Sequence, residues 1–193
     1  MGDDAVTAAL AISRLIDWIN GQVGKYVSWL ILLAVIIAAG NATVRYIFST
    51  SSNAWLEVQW YLFSAVFLLC AGYTLLRNEH VRIDIVTSRF TRRTQVMIEL
   101  FGTVFFLMPM ALMIMWLSWP LVVEAYVRHE ISGDAGGLLR WPVKLLIPVG
   151  FALLVLQGVS QIIKLLAFLL GQGPDPQGDG ASSHGAPAAG ATS

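Results

Sequence analysis

The side chains of this sequence able to act as acids, bases or ligands are few, and they gather between or at the ends of its apolar runs. The densest group is Arg77-Asn78-Glu79-His80-Val81-Arg82-Ile83-Asp84, running on through Arg89, Arg92 and Arg93 to Thr94. Within it His80 stands four residues before Asp84, a spacing at which an imidazole N–H can donate to the carboxylate and order the loop as a short cap. A solvated loop histidine accounts for the same residues equally well. The other two histidines, His129 and His184, lie in a connection and in the tail, so no pair can ligate a haem between helices. No Cys or His cluster has metal-ligand spacing. Cys70, the single cysteine, cannot form an internal disulfide and reads as a small buried hydrophobe. Gly133-Asp134-Ala135-Gly136-Gly137 is too short, and lacks the strand–helix context, for a phosphate loop; it reads as a flexible loop. No nucleophile stands with a base. These residues argue against catalysis.

The elements around them explain why. Of the 193 residues 56% are hydrophobic and 12% charged, and the mean hydropathy is +0.69. A soluble domain is about 45–50% apolar and about 25% charged, so the composition is that of a membrane protein. A net charge of zero argues against nucleic acid, which needs a basic surface. Four uncharged runs follow one another: Tyr26 to Val44, Val58 to Leu76, Leu100 to Val123 and Pro142 to Ile163. About 19 residues at about 1.5 Å each nearly match a hydrocarbon core of about 30 Å. The chain is therefore read as an all-α integral membrane protein, with a membrane domain over 26–170 and spans at about 26–47, 56–76, 97–123 and 142–169. Pro109 predicts a kink in the third span, Pro148 a bend in the fourth, and Pro142 suits a first helical turn.

Residues 1–25 place Val6, Leu10, Ile12, Leu15, Ile16, Ile19 and Val23 mostly on one helical face, with Ser13, Arg14, Asp17 and Asn20 on much of the other. That predicts a short amphipathic helix lying on the membrane surface ahead of the spans; a flexible lead-in is the competing reading. Ala38-Ala39-Gly40 resembles a signal-cleavage site, but the region before it is too long and too acidic. Residues 171–193, rich in Gly, Ala, Pro and Ser, predict a disordered tail. Placing the basic loop in the cytoplasm puts eight Lys and Arg on that side (Arg14, Lys25, Arg77, Arg82, Arg89, Arg92, Arg93, Lys164) against four on the other (Arg45, Arg128, Arg140, Lys144). Both termini are thus expected to be cytoplasmic, in a bacterial inner membrane. Arg45 and Glu57, at facing ends of a short turn, suggest an ion pair tying the first two spans, or a contact with a partner or lipid headgroup. Glu99 is placed to pair with Arg92 or Arg93, or to be buried against another chain.

The order of these features resembles the small membrane subunit of tripartite ATP-independent periplasmic (TRAP) transporters. The matching stretches are Asn41-Ala42-Thr43-Val44-Arg45-Tyr46, Trp55-Leu56-Glu57-Val58-Gln59-Trp60, Arg77 through Asp84, and Gly136-Gly137-Leu138-Leu139-Arg140-Trp141-Pro142-Val143-Lys144. The resemblance covers roughly Tyr26 to Leu170, and its more specific element is the His80-Val81-x-Ile83-Asp84 pattern. Many members carry two adjacent acidic residues where this chain has Glu57 followed by Val58, so a second carboxylate is not required of it. The run Glu57-Val58-Gln59-Trp60 looks like a branch linked to organic acids. The resemblance implies a subunit with no catalytic, metal or substrate site and no cofactor of its own. A large membrane subunit would bind sodium and substrate, and a periplasmic substrate-binding protein would deliver the substrate. The small subunit would pack on the large one, extend its stationary scaffold, and otherwise meet membrane lipid. Asn41, Arg45, Trp55, Glu57, His80, Asp84, Trp141 and Pro142 are then candidate structural or subunit-interface residues. The alternative is a self-associating four-helix membrane scaffold with no part in solute uptake.

Overall fold

In a computed structural model the chain is described over residues 2–48, 53–77, 90–133 and 137–172, with side chains from residue 6 onward. It is helical almost throughout: α1 spans Gly2–Phe48, α2 Asn53–Leu76, α3 Arg92–Gly102, α4 Met108–Val127 and α5 Trp141–Leu169. A π-helical turn, Thr103–Leu107, joins α3 to α4 without a break. Counting α3 to α4 as one unit, four helices among the described residues are long and apolar enough to cross a membrane.

α1 departs from expectation. The N-terminal amphipathic stretch is not a separate surface helix but continues into the first span as one helix of 47 residues. At about 1.5 Å per residue that is about 70 Å, more than twice the hydrocarbon core. Its inward face is mixed and includes polar residues as well as Ile16. Ser13 and Asn20 are fully buried, whereas Ile12, Leu15 and Trp18 are 55%, 58% and 62% exposed. Apolar side chains gain little from burial against protein when lipid is the alternative, so polar groups that can pair decide which face turns inward.

α5 is the centre of the assembly. Its apolar window is 28% buried, against 11% for each of the other three. It packs on α2, α1 and α4, while α1 also pairs along α2. Glycines permit the closest approaches: a Cβ at Gly150 of α5 would lie 2.6 Å from the Leu68 carbonyl oxygen of α2. Near Pro109 the expected irregularity takes the form of the π turn. Proline cannot donate to the carbonyl four residues earlier and its ring crowds that group, so the turn widens, and Met108 N–H bonds to Thr103 O instead. Pro142 occupies the first turn of α5, and Pro148 is buried within it. α5 ends at Gly171, whose φ of 73° lets Gly171 and Gln172 N–H bond back to Phe168 and Ala167 carbonyls. The basic-loop residues His80 and Asp84 and most of the C-terminal tail lie outside the described residues.

Candidate functional site

Polar side chains concentrate at the two ends of this fold. At the end reached by Phe48, Asn53, Val127 and Trp141, Glu57 and Tyr61 lie one helical turn apart on α2. Glu57 Oε2 accepts the backbone N–H of Leu138 at 2.6 Å, and Tyr61 Oη donates to the Leu139 carbonyl at 2.8 Å. The connection between α4 and α5 is thereby clamped onto α2. That connection is itself closed: Ile131 and Leu139 form an antiparallel bridge, with Ser132 N–H to Leu138 O at 3.0 Å and Arg140 N–H to Glu130 O at 2.9 Å. So the flanks of the expected flexible loop are pinned; residues 134–136 at its tip lie outside the described residues.

Glu130 anchors the base of the connection through Lys144 Nζ, at 2.5 Å, and Arg140, at 3.7 Å. The hydrogen bond from Lys144 holds the Glu130 carboxyl below the usual carboxylate range, helped by Arg140 and opposed by desolvation. α4 ends in a return motif with His129 in the left-handed region, φ 47°, which lets His129 and Glu130 N–H bond to Tyr126 and Ala125 carbonyls. Trp141, opening α5, meets Tyr126 edge-on at 5.6 Å.

The Arg45–Glu57 ion pair does not form. The Glu57 carboxylate is taken by the Leu138 amide, a donor already fixed by the bridge, while Arg45 is exposed and makes no ion pair among the described residues. Trp55 is likewise 53% exposed and Asn41 half-buried. Of the candidate residues, the structure brings Glu57, Trp141 and Pro142 to one cluster, and leaves Arg45 and Trp55 outward on the same end.

The opposite end holds a second cluster that sequence reasoning missed. On α5, Gln157, Ser160, Gln161 and Lys164 follow helical spacing and form one polar stripe. Ser160 Oγ donates to Asp17 Oδ1 at 2.7 Å, and Gln157 Nε2 to the same oxygen at 2.9 Å. Lys164 pairs with Asp17 Oδ2. With its proton given to Asp17, Ser160 accepts from Ser13, the two hydroxyl oxygens lying 2.7 Å apart. Gln161 Nε2 reaches the other way, to Glu99 Oε1 of α3 at 2.5 Å. One helix face thus ties α1 and α3 to α5. The spacing was available in the sequence as Gln157-x-x-Ser160-Gln161-x-x-Lys164, inside a run otherwise read only for its hydropathy.

Neither cluster sets a nucleophile against a base; their hydrogen bonds join helix to helix or helix to loop, with Glu57 Oε1, Gln157 Oε1 and Gln161 Oε1 left without a partner among the described residues. What they do is mechanical. A family model described as tripartite ATP-independent periplasmic transporters, DctQ component, matches residues 33–168. The chain belongs to this family. It is a small TRAP permease subunit, a multi-pass inner-membrane protein from a family of transporter components rather than enzymes. Neither a curated protein nor a solved structure matches the sequence. The match covers the α2–loop clamp whole, since Glu57, Tyr61, Glu130 and Trp141 all fall inside it. It begins after Asp17, so the α1 half of the second cluster lies beyond the family's shared region.

Proposed function

We propose that this TRAP small subunit serves a sodium-coupled, binding-protein-dependent secondary transporter that imports organic acids. In this reading it packs on the large transport subunit and extends its stationary scaffold. Sodium and substrate are bound by the large subunit, and a periplasmic binding protein delivers the substrate. The observation that carries the reading is the pairing of rigid ends with unoccupied sides. Helices are cross-linked at both ends by polar clamps, yet three of the four apolar windows are only 11% buried within the chain. A fixed shape with apolar flanks suits a part against which another protein is held still. Both termini then face the cytoplasm, since the Asp17–Lys164 end carries the basic loop and the Glu57 end carries the smaller share of Lys and Arg.

The test is co-expression with the large subunit and purification through a tag on this chain. Reconstitution with the binding protein, an organic acid and a sodium gradient follows. Stoichiometric co-purification and uptake that collapses when this chain is omitted are expected. Full uptake by the large subunit alone, or uptake indifferent to sodium, refutes the reading.

A further inference from the structure

Lys25 immediately precedes the uncharged run of α1 and Arg77 immediately follows that of α2, so both cations stand at the same boundary of the apolar layer. Both line one niche of about 700 Å³ between the two helices. Small residues of α1 give it its shape. A Cβ at Gly24 would lie 2.4 Å from the Tyr73 ring, so glycine there lets the ring seat between the helices. Gly21, one turn before Lys25, leaves the floor open, since a Cβ there would meet only Leu76, at 4.0 Å. Tyr73 in turn holds Arg77: its hydroxyl accepts the Arg77 Nε–H at 2.9 Å, and its ring centre lies 5.5 Å from the guanidinium carbon. Having accepted that bond, the hydroxyl keeps its own proton to donate. Lys25 is exposed and makes no ion pair among the described residues. The niche thus gathers two cations and a phenolic O–H, with no carboxylate among its described lining residues.

Such a set of donors is complementary to a phosphate, and the surroundings say which kind. Trp29 lines the niche on the side of the apolar run, and Leu32 and Ile36 continue the same outward face of α1, 50% and 58% exposed. A polar, cationic recess at the boundary therefore opens onto an apolar strip that runs into the hydrocarbon layer. We propose that the niche binds the headgroup of an anionic phospholipid, its phosphate held by Lys25, Arg77 and the Tyr73 hydroxyl, with an acyl chain laid along Trp29, Leu32 and Ile36. A free phosphate has no use for the strip, and a zwitterionic headgroup brings an ammonium that both cations repel. The inference goes beyond the proposed transport role and does not rest on it.

The test is native mass spectrometry of the full-length chain, stripped of lipid in detergent and titrated with dioleoylphosphatidylglycerol or dioleoylphosphatidylcholine. One phosphatidylglycerol is expected to bind about tenfold more tightly than phosphatidylcholine. Lys25→Gln removes one cation that nothing else in the chain uses, and should weaken that binding about fivefold. Gly21→Leu leaves every charge in place but fills the floor of the niche, and should weaken it at least as much. Arg45→Gln removes an exposed cation at the opposite end and should change nothing. Equal binding of the two lipids overturns the proposal. So does a loss shared by Lys25→Gln and Arg45→Gln but absent from Gly21→Leu, which marks diffuse attraction to charge rather than a site. Displacement of the lipid by glycerol 3-phosphate reassigns the niche to a free phosphate, and its loss from the chain co-purified with the large subunit reassigns it to a protein contact; either result overturns the proposal.

Discussion

Replacing Asp17 removes the acceptor on which three groups of α5 converge, and the consequence can be sized from its neighbours. Ser160 and Gln157 each donate to Oδ1, and Lys164 faces Oδ2. Hydrogen bonds to a charged acceptor contribute about 1.5–3 kcal/mol each, and stranding one member of a buried ion pair costs about 3–5 kcal/mol. The contributions overlap, and the side chains of Lys164 and Asp17 are 29% and 21% exposed, so water relieves part of the loss. Asp17→Ala should therefore destabilise the contact by about 2–4 kcal/mol. Asp17→Asn keeps Oδ1 for Ser160 and Gln157 but turns the Nδ2 amide donor toward the lysine; about 1–2 kcal/mol is expected. Adding Lys164→Met to Asp17→Asn removes the stranded ammonium and should recover about 1 kcal/mol. Because α1 pairs with α2 further along, the damage should be local. Hydrogen exchange of the protein in nanodiscs should show protection lost from residue 6 to about residue 19, with the rest of α1 unchanged. A detergent-unfolding titration followed by circular dichroism gives the free energies. An Asp17→Ala variant within about 0.5 kcal/mol of the parent, or a double variant no better than Asp17→Asn, refutes the reading that this cluster ties α1 to α5.

Other expectations follow from the same geometry. Glu57→Ala removes the acceptor of Leu138 N–H; exchange at that amide should accelerate and recovery of the large subunit fall, with substrate selectivity unaltered, and a changed selectivity would contradict a purely structural role. Gly150→Ala places a Cβ 2.6 Å from the Leu68 carbonyl oxygen, forcing α2 from α5 at about 1–3 kcal/mol, whereas Gly40→Ala should be neutral or stabilising in the same unfolding assay. His129→Gly relieves a left-handed residue and should stabilise the α4 terminus by about 1 kcal/mol, read as slower exchange at Glu130 N–H. For Glu130 the folded carboxyl is held below its ordinary range, so its contribution is complete above that range and lost as pH falls through the depressed value. Protection of the Ser132 and Arg140 amides, relative to their intrinsic exchange at each pH, should fall on acidification, and Glu130→Gln should abolish that dependence; persistence of the dependence in the variant assigns it elsewhere.

The four spans were legible because a hydrocarbon core imposes a length and excludes charge, and both constraints show in a single sequence. The end clusters were legible only in part. Glu57 and Trp141 stood out as charged or aromatic punctuation at span ends, but their partners are backbone groups of Leu138 and Leu139 or ring contacts, which leave no residue-type signature. That is also why the Arg45–Glu57 ion pair fails: a cation close in sequence looked the natural partner for Glu57, and an amide supplied from a distant loop took its place.

The larger departure concerns residues 1–25, expected as a separate helix lying on the membrane surface and found as the start of α1. On a surface helix the apolar stripe meets the bilayer and the polar one faces water, which leaves Ser13, Asp17 and Asn20 without protein partners. Beside a bilayer the apolar stripe finds an equally good environment in lipid, and the polar groups gain by finding partners. α5 offers those partners at matching spacing, and the helix turns its polar face inward. The same reasoning separates what holds this subunit together from what it presents. Its own helices are fixed by polar contacts at their ends and by the packing of α5 on α1, α2 and α4, so the outward apolar faces of α1, α2 and α4 are not used by its fold. On the proposed function those faces are available, already in position, when a partner helix arrives, and little ordering cost remains to oppose association.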